Sequence, residues 1–141
     1  MVKSRRFFFA SMILLSLISF GKIAFADDAP NCEDSANLNQ QDMNMCAEQD
    51  FQKADRLLNK TWPEAKSFAE KADQDLEKNL QGYAKALLDS QRAWLAYRDA
   101  QCVLDGFGSR GGSIEPMLVS GCKATMTNER VKEFRAMIDG Q

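Results

Sequence analysis

From Gln41 onward, apolar side chains return every three or four residues, the period of an α-helix seen from one side. Met43, Ala47, Phe51, Ala54, Leu58, Ala65, Phe68 and Ala72 make the first such stripe, with a single step of seven. Leu76, Leu80, Tyr83, Leu87, Trp94 and Leu95 make the second, predicting a helix from about Asp73 to Leu104. Ile114, Met117, Leu118, Ala124, Val131, Phe134 and Ile138 make the third. The pattern predicts an all-α fold of three helices, joined by short connections as an up-down-up bundle.

Breakers refine the boundaries. Pro63 removes a backbone donor and disfavours helix at Trp62, so the first helix either kinks there or ends and restarts. Thr61-Trp62-Pro63-Glu64 also reads as a capping box, with Thr61 as N-cap and Glu64 three residues on. Gly82 is a weak interruption inside the second stripe. Residues 105–113 hold four glycines in nine residues and read as a flexible connector. Ser113 is a plausible N-cap for the third helix, Pro116 is tolerated in its first turn, and Gly140 suits its end.

Four cysteines, Cys32, Cys46, Cys102 and Cys122, bear on the compartment and on stability. An even count in a small secreted domain reads as two disulfides. Three pairings exist. Chain order favours Cys32 with Cys46 and Cys102 with Cys122, each closing a short loop. Spacings of 14, 56 and 20 contain no C-x-x-C pair, which disfavours zinc. Antiparallel packing brings Cys46, Cys102 and the early third helix to one end of the bundle, so both bridges are expected there.

The first 26 residues read as a secretory leader. Lys3, Arg5 and Arg6 form a basic start, Phe7 to Phe20 is a nearly unbroken apolar run, and Ala24-Phe25-Ala26 supplies small residues before the expected cut. The run is shorter than the roughly 20 residues a membrane-spanning helix needs, so no span is expected after cleavage. Cleavage leaves one domain, residues 27–141, in the periplasm or outside the cell. Losing Lys3, Arg5, Arg6 and Lys22 changes 18 basic and 20 acidic residues into 14 and 20, a net charge of −6. An acidic surface argues against nucleic acid as a partner and favours a basic protein, or simple solubility.

The chain has no histidine. That excludes Ser-His-Asp and Cys-His catalysis and His-ligated metal. Carboxylates alone could run acid–base chemistry, but Asp50, Asp55, Glu64, Glu70, Asp73, Asp75 and Glu77 fall mostly on expected solvent faces. No catalytic residue, metal, cofactor or small-molecule substrate is therefore expected. The densest segment, Gln91 to Cys102, places Gln91, Trp94, Leu95, Arg98 and Cys102 on one helical face. Arg98 could stack near Trp94 and bond a carboxylate or carbonyl of another helix, and Asp99 could meet Arg130. Gln91, Trp94, Arg98, Asp99 and Arg130 thus read as a polar network that fixes helix register. Phe107 and Arg110, on the glycine-rich connector, are the side chains suited to a partner contact.

The ordered set Gln91-Arg92-Ala93-Trp94-Leu95, Tyr97-Arg98-Asp99-Ala100, Cys102, Gly111-Gly112-Ser113, Cys122 and Thr127 to Arg130 resembles the LprI-like lysozyme-inhibitor family. Upstream, Cys32, Met43 to Cys46, Ala54-Asp55 and Leu58-Asn59 extend the resemblance over nearly all of residues 27–141. It implies a small secreted bacterial helical domain, the same cysteine pairing, and a binding protein that inhibits lysozyme or another cell-wall hydrolase. An envelope stress, interaction or immunity protein with no lysozyme target is the alternative.

Overall fold

The computed structural model describes residues 30–140; the leader assigned to residues 1–26 lies outside them. Three helices form the bundle: α1 over Gln40–Gln74, α2 over Tyr83–Gly106 and α3 over Glu115–Asp139. Short 3-10 turns occupy Ser35–Asn37 and Phe107–Ser109. α3 packs most extensively on α1, and α2 lies against both. Buried Ala54, Ala65, Ala69 and Ala124 keep side-chain bulk small where α1 and α3 meet.

α1 starts at a reciprocal capping box. The Asn39 side chain accepts from the Asp42 N–H at 3.0 Å, and the Asp42 carboxylate accepts from the Asn39 N–H at 3.3 Å. The helix then runs through Pro63 without ending. The carbonyl that Pro63 cannot pair belongs to Asn59, an exposed residue, so water can serve it. Thr61 is no N-cap; it is buried, and its hydroxyl donates to the Leu57 carbonyl at 2.9 Å.

The second helix begins ten residues later than its periodicity suggests. Residues 75–82 form a connection in which Leu76 and Leu80 are exposed. Asp73 belongs to the last turn of α1, and its carboxylate accepts the N–H groups of Gly82, Tyr83 and Ala84 at 2.9–3.0 Å. Gly82 is the residue before α2 rather than an interruption within it. Its φ of 146° is a conformation that side chains resist. These bonds satisfy the free donors at the start of α2 and lower the Asp73 pKa, the Gly82 N–H contributing most.

α3 begins after Ile114 rather than at Ser113. The Ser113 carbonyl instead accepts from the Asn44 side chain at 2.9 Å, tying this turn to α1. Glu115 reaches back to the Gly111 N–H at 2.6 Å. Gly111 has φ 77°, which glycine adopts without strain.

The interior is graded along its length. One end holds the apolar cluster Leu58, Ala65, Ala69, Leu87, Val131 and Phe134, with Trp62 packed on Phe134 at 5.5 Å between ring centroids. The other end has fewer large apolar side chains and holds both disulfides, Cys32–Cys46 and Cys102–Cys122. Covalent ties stand there where hydrophobic bulk is thin.

Candidate functional site: the outer face of the second helix

α2 turns polar groups inward. Arg98 is 6% exposed. Its Nε donates to Asp99 at 3.0 Å, and its Nη1 donates to Thr127 of α3 at 3.2 Å and Asp55 of α1 at 3.4 Å. Its guanidinium lies 5.1 Å from the Phe51 ring centroid and 5.4 Å from that of Trp94. Asp55 is therefore engaged with Arg98 rather than left on a solvent face.

Arg130 forms a second cluster, one turn beyond Thr127 on α3 and level with a part of α2 two turns from Arg98. It donates to Gln91 and Ser90 of α2, both at 3.0 Å, and to Glu133 at 2.7 Å. The expected pairing of Asp99 with Arg130 does not form. Asp99 sits level with Lys123, 3.9 Å away, whereas Arg130 sits level with Gln91. The donors of Arg98 and Arg130 are taken up by protein groups on three helices. Among the described residues no buried side-chain polar atom lacks a partner. Such a network fixes register and offers no nucleophile–base pair.

The opposite side of α2 is apolar and faces solvent. Ala93, Ala96, Tyr97, Ala100, Val103, Leu104 and Phe107 are all exposed. At 3.6 residues per turn they fall within an arc of about 120°. Tyr97 is 57% exposed, Val103 46%, Leu104 65% and Phe107 55%. Contiguous exposed apolar surface of this kind marks interaction sites on soluble proteins. The strip ends where the Arg110 guanidinium stacks 4.9 Å from the Phe107 ring centroid. The structure thus brings Phe107 and Arg110 together, at the end of a longer surface that includes Tyr97, Val103 and Leu104.

Tyr97, Val103 and Leu104 lie off the stripe that predicts the core side of α2. The stripe through Gln91, Trp94, Arg98 and Cys102 continues the core and reads as the inward, network-forming face of α2. The second arc, running from Ala93 to Phe107, is equally visible once the wheel is completed. Gly106, beneath this end, is buried; a Cβ there would lie 2.7 Å from Val119 Cγ2, so only glycine lets α2 approach α3 here.

A second surface lies along the α1–α3 seam, a groove of about 910 Å³ lined by Ala47, Ala54, Leu57, Met117, Leu118 and Gly121 among others. Asp50 and Lys53 line it too and pair with each other at 3.1 Å. Among the described residues no cluster of His, Cys, Asp and Glu could hold a metal ion. Nor, among them, is any helix long and apolar enough to cross a membrane.

An uncharacterised protein of Rhizobium meliloti (strain 1021) is 42% identical over 113 residues, covering 78% of this chain and 80% of that protein. No solved structure matches. The family model described as lysozyme inhibitor LprI matches residues 32–134, from the first cysteine to the core Phe134. The chain belongs to the LprI lysozyme-inhibitor family.

Proposed function

We propose that this chain is a periplasmic or secreted protein that binds a lysozyme or related cell-wall hydrolase and blocks its cleft, without catalysis of its own. Family membership supports the target class, and two disulfides support an oxidising compartment. The observation that carries the reading is the exposed apolar end of α2, where Leu104 and Phe107 stand in solvent beside Arg110. An apolar plug next to a guanidinium suits a cleft whose working groups are carboxylates. Arg110 supplies planar, bidentate recognition of such groups. The net charge of −6 on residues 27–141 would steer the protein toward a basic lysozyme.

Calorimetric titration of the oxidised protein into a basic animal lysozyme and into an unrelated bacterial muramidase tests this. The expected result is a saturable one-to-one complex with at least one of them, weakening as salt rises. No heat and no inhibition with either enzyme would move the assignment to an envelope interaction or immunity module without a lysozyme target.

A further inference from the structure

We infer that the outer face of α2 is also a self-association surface, and that the chain forms a two-fold dimer with its α2 helices packed antiparallel about Ala100. Side-chain size is graded along the exposed strip. Its first half carries Ala93 and Ala96 beside Tyr97; its second half carries Val103, Leu104 and Phe107. An isologous contact sets each surface against its own copy reversed. With the axis at Ala100, Ala93 faces Phe107 of the partner subunit and Ala96 faces Leu104 of the partner subunit. Tyr97 faces Val103 of the partner subunit, and Ala100 meets its own counterpart. At the two outer pairs large side chains thus enter space left by alanines, as helix packing requires, and Tyr97 lies against Val103 beside the small Ala100 pair.

The charges at the two ends of the strip match in the same register. Lys85 and Asp89 are paired on the exposed first turns of α2. Arg110 stands beyond its far end, just after the Phe107–Ser109 turn. The antiparallel arrangement brings Asp89 level with Arg110 of the partner subunit. A parallel pair would set bulk against bulk and Arg110 against Arg110. Burying the strip would remove on the order of 600 Å² per subunit, or roughly 1,200 Å² in all, the lower bound for specific interfaces. That size fits a reversible dimer.

The dimer covers Leu104, Phe107 and Arg110, the end assigned above to a hydrolase. Only this consequence rests on the inhibitor reading: the target and the second copy would compete, and the monomer would be the inhibiting form.

Sedimentation velocity of the exported, disulfide-bonded chain, from low micromolar to submillimolar concentration, tests the dimer in the absence of any lysozyme. The expected result is a concentration-dependent shift from one to two copies. Leu104→Asp should stay monomeric with an unchanged helical circular dichroism spectrum. Under mild oxidation Ala100→Cys should cross-link to itself, whereas Ala93→Cys should cross-link only when mixed with Phe107→Cys. A wild-type chain that stays monomeric throughout, or a dimer that survives Leu104→Asp, would overturn the proposal. Because these readouts contain no lysozyme, failure of the inhibitor reading would leave them unaltered.

Discussion

Arg98 carries a permanent charge into the interior and holds three helices with it. Removing one partner of a fully buried ion pair costs several kcal/mol, because the other charge is stranded. Here Asp55 and Asp99 are part-exposed and can be rehydrated, so that penalty applies only in part. Arg98→Ala is expected to cost about 2 kcal/mol, chiefly from lost packing between Phe51 and Trp94 and the lost Thr127 bond. Urea denaturation would measure this. Arg98→Met, which keeps the stem and its packing, should recover part of the loss. The inward placement of Arg98 was legible in the sequence, because it shares a helical face with Trp94 and Cys102. Its carboxylate partner was not: nothing in the chain distinguishes Asp55 from the other acids of α1. Asp99 was assigned to Arg130 because spacing gives a helical face but not the level at which two helices meet.

At the scale of elements, the junction between α1 and α2 shows where periodicity misleads. Leu76, Leu80 and Tyr83 keep helical steps, yet residues 75–82 leave the helix. The decisive residues are Gly82, with its positive φ, and Asp73, whose carboxylate caps the next helix. Pro63 misleads in the other direction. Buried neighbours at Thr61 and Ala65 hold α1 in place across it, and tertiary packing outweighs one missing bond. Asp73→Ala is expected to lower the Tm at neutral pH. The folded pKa of Asp73 lies below its ordinary 3.8. Its stabilisation is therefore full above that value and is lost as pH falls through the lowered one. The gap in Tm between wild type and Asp73→Ala should close on acidification below 3.8. A constant gap down to the most acidic conditions would show that the ionised carboxylate is not the cap.

Across the whole molecule, stability and exposed surface divide between the two ends. The apolar cluster around Phe134 holds one end, and the bridges hold the other. Cys102–Cys122 spans 20 residues and ties α2 to α3; in the chain-entropy picture it contributes roughly 3 kcal/mol. Replacing both of its cysteines with Ser should lower the urea midpoint accordingly, while α1 and its cap keep their helical signal. The all-α bundle and the three helical segments were legible because apolar periodicity reports directly on buried faces. The outer surface of α2 was not read, since an exposed apolar arc and a buried one have the same periodicity. Inhibition of a cell-wall hydrolase is proposed for this surface, at its Phe107 and Arg110 end. It is tested most directly by titrating the wild type and the Phe107→Ala/Arg110→Ala variant into a lysozyme clearing assay at fixed low salt. Stoichiometric inhibition by the wild type is expected, with at least tenfold weaker inhibition by the folded variant, a loss of about 1.4 kcal/mol or more. Equal inhibition by the two proteins would contradict it.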